Sequence, residues 1–268
     1  MSTHEALAQE SYQELINLLR WFSKSGPTPT LIGGWAVWMY NSYLGSVDID
    51  IVGPSLGGSF NHVIERYEEI HKYERVESGL LGLEYVYRKP VLRGSRLVGY
   101  IEIDACSFEA NTGRFHEDMD KLLPYRLCAD SKLVSSITLD EDAVCFIPKK
   151  SLLFLYKLKA ERDRSHDLRT RGAIMSVEKR SWLEAKLSKD QSDLIALLDP
   201  QPRKWIVAGE TDYELIKRIV EDRGLSFVYK SVSALPTRAE AVRRYSAYRE
   251  IDSRKIEEWI KPLMPDQF

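Results

Sequence analysis

The chain has 268 residues, 44% of them hydrophobic and 29% charged, with a formal net charge of −2. The charge excludes a uniformly basic chain, the hydrophobic share supports a real core, and the length suits one large domain or two modest ones. The apolar runs are too short to span a bilayer as a helix. Three cysteines, Cys106, Cys128 and Cys145, show no metal-ligand spacing. Cys106 and Cys145, set among apolar residues, read as buried thiols. An odd cysteine count with no secretory leader predicts a reducing, cytoplasmic setting.

An amphipathic helix is predicted from about Ala6 to Phe22, stopped by Gly26-Pro27. A strand at Thr30–Ile32 runs into Gly33-Gly34, a helix-compatible stretch covers Trp35–Tyr43, and a second strand covers Val47–Val52. Gly53-Pro54 and Gly57-Gly58 mark a loop before a helix at Phe60–Lys72. Strands follow at Leu83–Tyr87 and Leu97–Phe108 with a turn near Gly94, around which Arg88, Lys89, Arg93 and Arg96 cluster. Two short strands, Leu133–Leu139 and Ala143–Ile147, lead to Pro148, after which the sequence turns helical. Later helices are predicted at Asp212–Glu221, Thr237–Arg249 and Ser253–Ile260, with Trp205, Leu215, Ile219 and Trp259 in their core.

The chemistry concentrates in Val47-Asp-Ile-Asp-Ile-Val52. Side chains two apart on a strand share a face, so Asp48 and Asp50 project together. Adjacent carboxylates repel unless a proton or a cation lies between them. Asp-x-Asp alone often marks a solvated strand. The preceding glycine pair adds a place where backbone can approach a phosphate at a helix start. Tyr100–Phe108 alternates in the same way and puts Glu102, Asp104 and Cys106 on one face.

This order resembles the nucleotidyltransferases of the DNA polymerase β superfamily: strand, Gly-Gly, helix, then Asp-x-Asp between apolar residues, here Gly33, Gly34, Asp48 and Asp50. The resemblance implies a third carboxylate on a later strand. Asp104 is the first choice and Glu102 the reserve. It also implies an α+β fold with a mixed β-sheet nucleotidyltransferase core and flanking helices over residues 1–148. A mainly helical domain over 149–268 would contribute to the nucleotide or acceptor site.

The segment Leu152–Leu168 begins strongly apolar and then alternates basic and acidic residues. Seen alone, it reads as a helix laced by i, i+4 ion pairs. It also resembles the helix after the catalytic sheet in the abortive-infection type IV toxin branch of the superfamily. The matching residues are Lys157, Ala160, Arg162, Arg164, Asp167 and Leu168, while His166 and Thr170 depart from the pattern. In that branch the lysine meets nucleotide phosphates and the aspartate supports the active centre, roles that fall here on Lys157 and Asp167.

The expectation is a nucleotidyltransferase that moves a nucleoside monophosphate from a triphosphate to a hydroxyl. Asp48, Asp50 and Asp104 would hold Mg²⁺, with Mn²⁺ as substitute, Gly33 and Gly34 would border the phosphates, and Lys157 would neutralise them. The toxin branch implies RNA or tRNA as acceptor and a neutralising antitoxin protein as partner. Arg162, Arg164, Arg169, Arg171, Lys179 and Arg180 offer a basic track for nucleic acid. Two alternatives stand beside this reading. One is transfer to a small molecule such as an aminoglycoside, with Glu102, Glu109, Glu117 and Asp118 as acidic material for its pocket. The other is a nucleotide-binding module without turnover.

Overall fold

The computed structural model describes residues 3–55, 58–78, 84–109 and 113–265. Leu83 and Gly57, in the predicted strand and loop, lie outside the described residues. The contacts divide the chain into two compact units. One comprises 1–38, 45–111 and 125–148, and the other 39–44, 112–124 and 149–268. The long C-terminal stretch of the second unit starts at Lys149, next to the predicted cut, and two earlier segments group with it. Met39 O accepts from Ile206 N and Val207 N, and Phe115 packs edge-on against Phe227. These non-local contacts carry no local sequence signal.

The first unit is α+β. Among the described residues its sheet has seven strands: β1 Thr30–Leu31, β2 Ile49–Gly53, β3 Glu74–Ser78, β4 Glu84–Arg93, β5 Arg96–Ser107, β6 Val134–Asp140 and β7 Ala143–Pro148. Their spatial order is β3-β4-β5-β2-β1-β7-β6. The β2/β5 and β1/β7 pairs are parallel and the others antiparallel, so the sheet is mixed. The β4–β5 hairpin closes at Gly94 with positive φ, at the predicted turn. Strand β3 has no counterpart in the predicted elements.

Two helices, α1 Thr3–Ser25 and α3 Ser59–Ile70, back the sheet. Helix α1 buries Leu15, Ile16, Leu18, Leu19 and Phe22, and Phe22 stacks on Phe60 of α3. Ile49 and Ile51 of β2 are fully buried, as are Ile101 and Ile103 of β5 nearly so. Alternation then turns Asp50 and Asp104 to the opposite face. Between β1 and β2 lies α2, Gly33–Tyr40, which begins at the glycine pair and not at Trp35.

The second unit is helical: α4 Lys150–Arg171, α5 Val177–Leu198, α6 Tyr213–Asp222, α7 Phe227–Ser233, α8 Ala239–Arg243 and α9 Ser253–Ile260. Asp212 caps α6 by accepting from Leu215 N, and Asp252 caps α9 by accepting from Lys255 N. The helix predicted over Thr237–Arg249 is instead broken into 3₁₀ and α pieces, because Tyr245 adopts an extended conformation. Leu215, Ile219 and Trp259 are buried, but Trp205 is 53% exposed and is not core. No helix among the described residues is long and apolar enough to cross a membrane.

Candidate functional site

Asp50 and Asp104 are Cα partners in the parallel β2/β5 ladder. Neighbouring strands lie about 4.7–4.9 Å apart, so in-register residues project side by side from one face. Asp50 is half-buried and Asp104 exposed. Asp48 precedes β2 in a bend, outside the ladder. Ser11 of α1 fixes that approach by donating its hydroxyl to Val47 O at 2.5 Å while accepting from Trp35 Nε1 at 3.1 Å. Glu102 lies two residues before Asp104 on the same strand, opposite Arg88 of β4. Among the described residues, no three His, Cys, Asp or Glu side chains are gathered closely enough to cage an ion.

The turn from β1 into α2 closes onto the first carboxylate. Ile32 N donates to Asp50 O at 2.9 Å. Gly33 has φ +66°, and a Cβ there would lie 1.8 Å from Asp50 Oδ2. Only glycine meets both demands, since positive φ disfavours any side chain and the carboxylate fills the space one would need. Asp50 thus sits at the first residue of α2, where the helix dipole favours negative charge. Gly34 follows it, buried.

Two further groups share this face. The Cys106 thiol, two residues beyond Asp104, is pushed up to about 12, first by burial and then by the charges of Asp104 and Asp50. The Tyr125 phenol, at the start of a 3₁₀ helix over Tyr125–Ala129, is raised well above its ordinary value by burial, followed by Cys106, Asp50 and Asp104. Both groups therefore stay protonated at neutral pH beside the carboxylates. Alternation already placed Cys106 on the face. Tyr125 lies in a stretch without periodicity and had no signal.

The residues of α4 belong to the second unit. Lys157 is only 8% exposed, with its ammonium 2.7 Å from Asp193 and 3.2 Å from Asp190 of α5. Arg164 also pairs with Asp190, while Lys189 and Tyr43 serve Asp193. Burial alone would raise Asp193, but Lys157 and Lys189 overcome it and hold the carboxyl down at about 2. Lys157 is therefore the neutraliser of two buried carboxylates, where the resemblance implied a phosphate contact. Asp167 lies 3.1 Å from His116 Nδ1, and His116 N donates to Asp163. Of the basic track, Arg162 and Arg169 both pair with Glu117, and Arg180 pairs with Glu184. Glu117, named above as acidic material for an acceptor pocket, thus carries two arginine partners.

No family model and no curated protein matches the chain. Among solved structures, it is similar to an antigenic nucleotidyltransferase-like protein from Paracoccidioides brasiliensis, with 14% identity and a TM-score of 0.40 over 82% of this chain and 94% of that one.

Proposed function

We propose that the Asp50–Asp104 face is the catalytic centre of a nucleotidyltransferase that moves a nucleoside monophosphate from a triphosphate to a hydroxyl acceptor. The observation that carries this reading is the in-register carboxylate pair with one member lodged against Gly33 at a helix start. Fold stability asks for no such arrangement, because like charges at this spacing repel.

The donor set fits Mg²⁺, with Mn²⁺ as substitute. Hard carboxylate oxygens suit either ion, and Mg²⁺ is commonly held by one or two carboxylates completed by substrate phosphates and water. A pair suffices, because substrate phosphates and water complete the coordination. Asp50 and Asp104 would hold the ion, with Asp48 assigned to the same group. When bound, the ion supplies charge neutralisation for the phosphates. Backbone at Gly33 and Gly34 borders the triphosphate. The acceptor oxygen forms the new bond to the α-phosphorus as the bond to the β-bridging oxygen breaks, and pyrophosphate leaves with that electron pair. The hydroxyl proton passes to Asp104, the exposed member of the pair. Tyr125, kept protonated, can donate to a phosphoryl oxygen.

The likeness of Leu152–Leu168 to the toxin branch supports RNA or tRNA as the acceptor, an antitoxin protein as partner and a cytoplasmic setting. The test is incubation of the purified chain with each α-labelled triphosphate, Mg²⁺ and either total RNA or an aminoglycoside. Label in RNA supports the reading. Label in the aminoglycoside alone replaces the acceptor, and no Asp50-dependent transfer to either overturns the proposal.

A further inference from the structure

The second unit contains a cleft of about 570 Å³ between the segment after α5 and the stretch leading into α9. That size falls within the range of about 300–1,000 Å³ typical of small-molecule sites. Its rim carries three exposed cations, Arg203, Arg249 and Lys255, and its floor includes the buried Tyr248 and Trp259.

The charges of this cleft are unevenly matched. Two carboxylates, Asp199 and Glu250, line it beside the three cations. Asp199 is held by other partners: Tyr248 Oη donates to it at 2.8 Å and Gln201 N at 2.9 Å. Asn41 locks the same tyrosine from behind at 2.5 Å. Among the described residues, neither Arg203, Arg249 nor Lys255 lies within ion-pair distance of a carboxylate, in contrast to the arginines of α4. Lys255 Nζ instead stands 5.6 Å over the ring of Trp259. Cations that converge on a concavity without carboxylate partners attract an anion, and arginine's planar fork suits phosphate oxygens. The hydrogen-bonded floor holds its shape without a ligand, which lowers the ordering cost of binding.

We infer that this cleft is a binding site for a small phosphorylated molecule, with Arg203 and Arg249 on the phosphate and Trp259 beside its planar or apolar body. The site is separate in sequence and in function from the carboxylate face, and it does not depend on the nucleotidyltransferase reading.

The test uses the full chain, with AMP as probe and EDTA present so that no divalent ion assists binding elsewhere. Calorimetry compares AMP with adenosine on the natural chain, on an Arg203→Ala/Arg249→Ala double variant, on Arg254→Ala and on Asp50→Asn. The expected result is one AMP per chain, at least ten-fold weaker adenosine binding and a loss of ten-fold or more in the double variant. Arg254→Ala, which removes a nearby positive charge outside the cleft, and Asp50→Asn should change affinity less than two-fold. All four arginine and aspartate positions are at least partly exposed, and matching circular dichroism shows that the variants fold. Equal binding by the folded double variant, equal affinity for adenosine and AMP, or no binding to the natural chain overturns the inference.

Discussion

Gly33 and the carboxylate of Asp50 compete for the same space: a Cβ at position 33 would stand 1.8 Å from Asp50 Oδ2. The β1–α2 turn and strand β2 therefore constrain each other. Whatever moves one displaces the other.

Gly33→Ala is expected to disturb the site more than the fold. The positive φ costs a side chain about 1–2 kcal/mol, and the new methyl group must also push Asp50 from its position beside Asp104. Stability should drop by at least that amount while nucleotidyl transfer falls by ten-fold or more. Urea melts and label transfer, measured on the same preparation, check this. Unchanged transfer would show that Asp50's position is immaterial to turnover.

Asp50→Asn and Asp104→Asn should each abolish most transfer without unfolding the chain. Removing one of two adjacent like charges relieves repulsion, so thermal stability in EDTA should stay level or rise. Added Mg²⁺ should stabilise the natural chain and have less effect on either variant. Thermal melts with and without Mg²⁺ read this directly.

Lys157→Ala is expected to act on stability before chemistry. It leaves Asp190 and Asp193 short of a buried counter-charge, and breaking such a pair typically costs about 3–5 kcal/mol. The pH dependence follows from Asp193, whose folded pKa of about 2 lies below its ordinary value. Its contribution is present above that ordinary value and lost as pH falls towards 2. Without Lys157 the carboxyl titrates higher, so acid unfolding should begin at a higher pH. Lys159→Ala, whose lysine pairs with Asp163 on its own helix, should be milder. Urea midpoints between pH 2 and pH 7 separate the two variants.

Glu68 predicts the opposite slope. Its side chain is buried, its Oε2 has no hydrogen-bond partner among the described residues, and burial, with Glu65 nearby, pushes the carboxyl up to about 8. A carboxyl raised in the folded state binds a proton that the unfolded chain has already lost, so stability declines as pH rises from about 4.5 to about 8. Glu68→Gln should flatten that decline and melt higher than the natural chain at pH 8. Melting temperatures at pH 5 and pH 8 for both proteins decide it.

The β-rich first half was largely legible because its elements obey local rules. Alternation around Asp50 and Asp104 marked both strands, Gly94 marked the hairpin, and the apolar stripe of α1 marked the backing helix. The predicted core position of Trp205 failed because hydrophobic character alone does not say which aromatic finds a neighbour. The single helix predicted over Thr237–Arg249 failed because helix-compatible residues do not reveal where packing will extend the backbone at Tyr245.

The sequence by itself determined the placement of carboxylates on alternating strand faces and the glycine pair before them, since pleat and φ preferences act over a few residues. Only the tertiary structure decided that β2 and β5 are neighbours with Asp50 opposite Asp104, that Tyr125 joins their face, and that Lys157 is consumed by Asp190 and Asp193. Those outcomes depend on strand pairing and on burial of charge between residues tens of positions apart. There, desolvation and Coulomb attraction choose the partners and local propensity is silent.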